Sequence, residues 1–512
     1  MGVWVRARRY DIGNCVVCGI FCKLAASKDT DSMQSYLTSV YWWATIIVVA
    51  AYALTVIACI IVVLRENRNP IRSLAWVIAL IFLPVGGLVF YLFFGRSLKN
   101  MRMISRHKKR RLMRAIGTKN VNLREVGLSE DRRQLVMLSH SLAKAKYSVN
   151  NDIRIFTTGS EKFEALKSDL RAARSAILLQ YYIFTDDRLG TEIAGILMEK
   201  ARQGVKVMVI YDHVGSFGTS NRFFKQMREA GVDVHPFFRV TFPQLANRIN
   251  WRNHRKLVVI DRKIGYLGGM NIADRYVMPT DGSPAWRDTH FRLEGDIVES
   301  LLLSFAIDWA FMGQPITDDG ATIPDNPFRN LRGMQLVTSG PVDNWDNLSL
   351  CFLKAISTAH KSIYLQTPYF LPTDALQHAL EAAALSKADV RIMIPERCDS
   401  RLLQLASFSY ITQCLKAGIK VYLYKKGMLH AKTLIIDEDL VASGSTNFDF
   451  RSLENNFEAT LFIYDREVNR QMRDIFFDDI QDCTKLTYSA WHKRPLLQRL
   501  LESVVRLLSP IL

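Results

Sequence analysis

His254-Arg-Lys256-Leu-Val-Val-Ile-Asp261 and His430-Ala-Lys432-Thr-Leu-Ile-Ile-Asp437 are two copies of one pattern, His-x-Lys-x4-Asp. Each has a second match downstream, Gly268-Gly269-Met-Asn271 in the first case and Gly444-Ser445-Thr-Asn447 in the other. Residues two apart on an extended chain point to the same side. His254 and Lys256 are therefore expected to face one cavity together, as are His430 and Lys432. The apolar run after each lysine continues the strand into a core. A single His-x-Lys has a plain reading, a polar pair at a strand end. Here that reading must be accepted twice, in matching context.

The repeat extends beyond the motifs. Ile177-Leu-Leu-Gln-Tyr-Tyr-Ile-Phe184 matches Ile363-Tyr-Leu-Gln-Thr-Pro-Tyr-Phe370. Val205-Lys-Val-Met-Val209 matches Val390-Arg-Ile-Met-Ile394, and Ala230-Gly-Val-Asp-Val234 matches Ala417-Gly-Ile-Lys-Val421, in the same order. Each reads as a buried strand, and strands alternating with helical stretches predict an α/β class. The spacing predicts two similar α/β lobes, 130–317 and 318–490, forming one shared active site.

Composition widens the reading. At 512 residues the chain has room for two or three folding units. Charged residues at 23% speak against a largely disordered chain. A net charge of +18 points to an anionic partner, either nucleic acid, anionic lipid or a phosphate-bearing substrate. The plain alternative is a solvated basic face. Cys15, Cys18 and Cys22 cluster as Cys-x2-Cys-x3-Cys, but no fourth soft ligand lies near, so no metal is assigned there.

Tyr41–Leu64 and Leu74–Phe94 contain no charged residue. Each has about the length of a bilayer-spanning helix, roughly 20 residues. Tyr41, Trp42, Trp43 and Tyr91 lie near their ends, where an aromatic belt sits. The short link between them, with Asn69-Pro70, predicts a transmembrane hairpin over 36–95. A basic linker, 96–129, follows, dense from Arg96 to Arg114, and the positive-inside rule places it and the lobes in the cytoplasm. It would also attract anionic headgroups. The extension 1–35 has no assigned role, and Met33 is a candidate alternative start. Its apolar patch Cys15–Ala26 is broken by Lys23 and fits a signal peptide poorly. The end, 491–512, is amphipathic, with Lys493, Arg494, Arg499 and Arg506 among Leu and Val. It fits a membrane surface or packing on the second lobe.

On these motifs the chain resembles the phospholipase D superfamily. With the N-terminal apolar segments it is similar to bacterial cardiolipin synthases of that type. Asn69-Pro-Ile-Arg-Ser-Leu-Ala-Trp76, Phe82-Leu-Pro-Val-Gly-Gly87 and Tyr91-Leu-Phe-Phe-Gly95 carry the likeness, as do Arg494-Pro-Leu-Leu and Arg506-Leu-Leu-Ser-Pro510. It runs from about Tyr36 to the C-terminus.

The residues suit phosphodiester chemistry. Lys256 and Lys432 in one cavity neutralise non-bridging oxygens and stabilise transition-state charge. One imidazole attacks phosphorus and forms a phosphohistidine. The other protonates the leaving alcohol and deprotonates the incoming one. The sequence is nearly symmetric on this point. The resemblance implies that His254 is the nucleophile and His430 the acid/base. It also implies an acidic residue shortly after each motif to orient an imidazole, matched by Asp288 and Glu454, with Glu294 and Glu458 next in line. Asp261 and Asp437 complete the catalytic motif, although their place after apolar strands suits holding structure. Asn271 and Asn447 are expected to bind phosphate oxygens or to position the lysines.

The activity implied is transfer of a phosphatidyl group between two phosphatidylglycerols, giving cardiolipin and glycerol. Neither metal nor cofactor is expected, since the lysines supply the positive charge. Phosphatidylglycerol and anionic membrane lipids are the expected partners. The same motif also fits a phospholipase D-type hydrolase, another headgroup exchanger, or a nuclease. Against the last stand the apolar segments and the lack of a nucleic-acid-binding module. Oligomeric state is not legible.

Overall fold

The apolar runs after the two motif lysines are strands, and everything around them repeats as well. The computed structural model describes residues 30–65, 70–83, 86–91, 103, 105, 126–239, 251–280, 282–315 and 332–509. The chain divides into two compact units, 1–95 and 96–512.

In the N-terminal unit, helix α1 (Thr30–Arg65) is followed by α2 (Pro70–Phe82) and a short α3 (Gly86–Phe90). Within α1, Gln34–Ile61 is long and apolar enough to cross a membrane. Val56, Val63, Leu80 and Tyr91 form a small buried cluster, and Tyr52 donates a hydrogen bond to the Leu80 carbonyl at 3.2 Å. Of the second apolar stretch, Leu74 to Phe94, the described residues are helical up to Phe82 and again over Gly86–Phe90, and residues 84, 85 and 92–94 lie outside them. At 13 residues α2 is about 20 Å long, short of the ~30 Å hydrocarbon core. Among the described residues one helix therefore has spanning length. The Cys15–Cys22 cluster lies outside the described residues, as do the basic residues from Arg96 to Arg114.

The second unit begins with α4 (Glu130–Ala143). The first lobe follows as β1 (Asn151–Phe156), α5 (Gly159–Ala172), β2 (Ala176–Tyr181), α6 (Arg188–Arg202), β3 (Lys206–Asp212), α7 (Asn221–Glu229), β4 (Asp233–Phe237), β5 (Leu257–Ile260), β6 (Ile264–Gly268), β7 (His290–Gly295) and α8 (Ile297–Phe311). The second lobe runs β8 (Gly333–Ser339), α9 (Asn347–Ser357), β9 (Ser362–Gln366), β10 (Phe370–Leu371), α10 (Asp374–Leu385), β11 (Asp389–Pro395), α11 (Arg401–Lys416), β12 (Lys420–Tyr424), β13 (Thr433–Ile436), β14 (Leu440–Gly444), β15 (Phe448–Asp449), α12 (Phe450–Glu454), β16 (Glu458–Tyr464), α13 (Arg466–Gln481) and β17 (Cys483–Lys485). Helices α14 (Tyr488–His492) and α15 (Leu496–Arg506) close it.

The two sheets have the same strand order. The first is β1-β7-β6-β5-β2-β3-β4; the second, read from its matching edge, is β8-β16-β14-β13-β9-β11-β12, with β17 added. In each, the three repeat strands are parallel and the motif strand lies antiparallel to the first of them. Leu257 stands opposite Gln180, and Thr433 opposite Gln366. Both motif histidines therefore enter at the carboxyl ends of parallel strands, the usual place for a ligand crevice in such sheets. One apolar cluster draws on both sheets, with Leu257, Leu267 and Phe291 joining Leu336, Ile435 and Leu461.

Helix α4, expected with the first lobe from residue 130, packs on the second. Leu135 and Val136 join its core, and Arg132 Nη2 donates to Asp437 Oδ2 at 3.1 Å.

Candidate active site

Backbone pairing across the seam between the lobes builds the site. Asn253 forms a bridge with Phe457, and Arg287 with Leu429. The His254 N–H donates to the Phe457 carbonyl at 2.9 Å, and the Phe457 N–H to the Arg252 carbonyl at 2.8 Å. In the mirror arrangement the His430 N–H donates to the Arg287 carbonyl at 2.7 Å, and the Arg287 N–H to the Met428 carbonyl at 3.0 Å. Each bridge sets a motif histidine beside the residue that follows on the opposite lobe. Those residues are Glu458 and Asp288.

His254 Nδ1 lies 2.9 Å from Glu458 Oε1. His430 Nδ1 lies 2.6 Å from Asp288 Oδ2. All four groups are buried. A carboxylate on Nδ1 favours the tautomer with the proton there and leaves the lone pair on Nε2. Asp288 thus meets an imidazole, but that of the other lobe. Among the described bonds Glu454 meets neither imidazole. It ends α12, and Glu458, four residues on, holds the position because β16 starts there, directly after the Phe457 bridge.

The glycine-serine difference between the motifs now has a cause. A Cβ on Gly269 would come within 2.2 Å of Asp288 Oδ1. In the other lobe Ser445 takes that place, and its hydroxyl donates a short hydrogen bond to Glu458 Oε2.

Lys256 and Lys432 are both buried beside their histidines. Lys256 Nζ donates to the His254 carbonyl at 2.6 Å, and Lys432 Nζ lies 3.8 Å from Asp288 Oδ2. The Tyr182 ring stands edge-on to His254 at 4.8 Å, and Trp286 lies 5.2 Å from His430. Asn271 Nδ2 donates to the Tyr276 hydroxyl at 3.0 Å, and that hydroxyl sits 3.2 Å from His430 Nδ1. Asn271 therefore braces the His430 shell. Asn447 is buried with its Oδ1 unpartnered.

Asp261 and Asp437 stand apart from this cluster, each beyond a four-residue strand, about 16 Å along the chain from its lysine at ~3.3 Å per residue. Asp261 accepts from the backbone N–H groups of Arg174, Ser175 and Ala176 at 2.8–2.9 Å. Asp437 accepts from those of His360, Lys361 and Ser362. Both have φ of +51°, a conformation Asp tolerates better than most residues. They tie the far turn of the motif strand to the start of its neighbour, so phosphorus contact is not their place.

Sequence reasoning passed over a buried brace. Arg255 Nη1 meets both oxygens of Asp308 at 2.7 and 2.8 Å, and Gln180 and Asn253 also donate to Asp308. Asp479 plays the matching part for Arg287 and Gln366. The signal was present: Asp308 is a charge inside the apolar helix α8, and the paired glutamines lie in the repeat.

Burial dominates the electrostatics. It lowers the His254 pKa to about 4, with Glu458 opposing and Lys256 assisting. His430 is pushed well below its ordinary value by burial and then by Lys432 and Lys256. Burial raises Asp288 to about 6 against the pull of Lys432, and lowers Lys432 to about 8. For Glu458, burial is outweighed by His254 and Lys256, and it stays ionised. Burial also lowers Lys256 well below its ordinary value. The protein's own groups thus set two neutral imidazoles beside two lysines whose charge burial opposes, and an anion bound here would raise all four.

Known proteins carry the same plan. A family model described as "Cardiolipin synthase, PLD-like domain" matches residues 166–281 and 352–480, one segment per lobe. Cardiolipin synthase 2 of Bacillus anthracis is 38% identical over 460 residues, 88% of this chain and 89% of that protein. The chain belongs to the cardiolipin synthase family. Cardiolipin synthases are phosphatidyltransferases of the phospholipase D type, and the major cardiolipin synthase of Bacillus subtilis strain 168 is likewise 38% identical, covering 90% of this chain and 98% of its own. A second family model, "Phospholipase D-nuclease N-terminal", matches residues 53–96. The crystal structure of phosphatidylserine synthase from Haemophilus influenzae Rd KW20 shares the fold at 15% identity, with a TM-score of 0.57, covering 75% of this chain and all of that one.

Proposed function

We propose that this cardiolipin synthase homologue transfers a phosphatidyl group from one phosphatidylglycerol to another, with His254 as nucleophile. The carrying observation is the pair of imidazoles whose Nδ1 atoms are each held by a carboxylate of the opposite lobe, with two buried lysines beside them. His254 Nε2 attacks phosphorus as the bond to the glycerol oxygen breaks. His430, charged once the phosphodiester is bound, gives its proton to that oxygen, and glycerol leaves. His430 then takes the proton from the terminal hydroxyl of a second phosphatidylglycerol. That oxygen attacks phosphorus, the N–P bond breaks, and cardiolipin forms. Lys256 and Lys432 hold the non-bridging oxygens throughout. Asn447, with its open Oδ1, faces the same chemistry as a polar contact for the headgroup.

Helix α1, with α2 and α3 beside it, anchors the enzyme in the cell's inner membrane as a hairpin, and the basic run after residue 95 keeps the lobes on the cytoplasmic side. Anchoring raises the local concentration of lipid alcohol over water as acceptor. Purified full-length protein given headgroup-labelled phosphatidylglycerol in vesicles should release labelled glycerol and form cardiolipin. Phosphatidic acid as the main lipid product would replace this reading with a hydrolase.

A further inference from the structure

Helix α15 shows a face that the lobe does not use. Leu496, Leu497, Leu500, Leu501, Val504 and Leu507 are all exposed, Leu497 by 70% and Leu507 by 80%. At ~100° per residue they occupy one arc about 140° wide. The opposite face is fixed to α11: Glu502 and Val505 are buried, Arg494 clamps Glu502 at 2.5 and 3.0 Å, and Arg506 lies over the Tyr410 ring at 4.4 Å. Burial of a leucine is worth ~1.5–3 kcal/mol, so a row left in water needs a counterpart.

Size and charge select that counterpart. The helix has 11 residues, so its free face is about 16 Å long and about 10 Å wide, small against the ~800 Å² per partner of a standard protein interface. The one acidic residue of the helix, Glu502, is taken by Arg494. Lys493 and Arg499 have no acidic partner among the described residues. An apolar arc edged by free cations matches the acyl–headgroup boundary of an anionic bilayer.

We propose that α15 is an interfacial membrane helix, rigidly carried by the second lobe, whose leucine face enters the outer few ångströms of an anionic bilayer. The proposal rests on the lipid-directed reading of the site and adds a second membrane contact to the N-terminal helix. Helix α11, which carries α15, itself packs against β10, and β10 pairs with β15, which begins directly after Asn447.

The test uses the full chain in vesicles of phosphatidylglycerol and phosphatidylcholine doped with a lipid bearing a photoreactive diazirine in its acyl chain. After irradiation, peptide mapping should find lipid adducts within residues 496–508 as well as within 34–61. Labelling of 34–61 with none at 496–508, or cross-links from α15 to a second copy of the chain, overturns the proposal. The double variant Leu500→Ser, Val504→Ser should lower labelling of 496–508 by at least about fivefold, with turnover of short-chain phosphatidylglycerol unchanged. Undiminished labelling in that variant also overturns it. If the parent chain made no cardiolipin, the functional reading would fail while the adduct map still reported on α15.

Discussion

Glu458 Oε1 lies 2.9 Å from His254 Nδ1, although 204 residues and a lobe boundary separate them. The reciprocal bond joins Asp288 to His430 at 2.6 Å. Neither lobe owns a complete histidine–carboxylate pair. Removing the charge while keeping the shape should therefore act on the chemistry and not on the fold. Glu458→Gln and Asp288→Asn are each expected to lower kcat by about 10³–10⁴, with near-native thermal unfolding. Glu454→Gln should stay within about twofold of the parent, being outside the pair. Steady-state assays of cardiolipin formation decide between them.

The proposed covalent step would separate the two histidines. His430→Ala retains the proposed nucleophile but lacks the group that protonates the leaving alcohol and activates the acceptor. Given an acyl-labelled phosphatidyl donor whose leaving group needs no proton, such as phosphatidyl-p-nitrophenol, it should build up an acid-labile lipid adduct on His254. His254→Ala should give none. Rapid quench followed by peptide mapping reads this directly, and label on His430 instead would reverse the two roles.

The pH profile follows from the burial shifts. His254 must be neutral to attack, and its pKa is lowered to about 4. Asp288 must be ionised to hold the His430 Nδ1 proton, and it is raised to about 6. Lys432 must be charged, and it is lowered to about 8. In the proposed reaction His430 must also carry a proton when glycerol leaves, so activity should rise as Asp288 ionises near 6 and fall as His430 and Lys432 lose their protons, by about 8 at the latest, the two limbs being properties of the coupled cluster. Asp288→Asn should remove the limb near 6 from the residual activity. Lys432→Arg should move the alkaline limb upward, because a guanidinium stays protonated.

Gly269 has a steric task. A methyl group there would sit 2.2 Å from Asp288 Oδ1, so Gly269→Ala must shift the carboxylate from His430. A displacement near 1 Å is expected to cost about 100-fold in kcat. Ser445→Gly, at the equivalent position, removes a hydrogen bond to Glu458 without a clash and should cost less.

Asp261 and Asp437 are expected to affect stability first. Asp261→Asn keeps tolerance for positive φ but gives up the charge on three backbone N–H bonds. Asp261→Ala loses both, and should destabilise by about 1 kcal/mol more than Asn. Thermal unfolding measures the difference. Well below the transition both variants should retain most of their turnover.

Duplication made much of this legible from residues alone. Two copies of His-x-Lys-x4-Asp, embedded in matching strand triplets, specify the lobes and bring four side chains to one crevice. The carboxylate on His254 was harder to read, because its position depends on a backbone bridge from Asn253 to Phe457 that no local pattern encodes. The family resemblance put Glu454 ahead of Glu458, and only the seam brings Glu458 to His254. Helix α4 escaped for the same reason: its sequence neighbours lie in one lobe and Arg132 binds Asp437 in the other.

Crossed ownership of the carboxylates has a consequence for the chain during its synthesis. Translation delivers the first lobe with His254 and Lys256 in place but no acid behind the imidazole. Glu458 emerges last among the groups of the site, after the second lobe's own histidine and lysine. Until the second lobe docks, His254 of the growing chain has no carboxylate on its Nδ1 and no second histidine and lysine beside it. The two halves switch on together, at the moment the whole enzyme is complete.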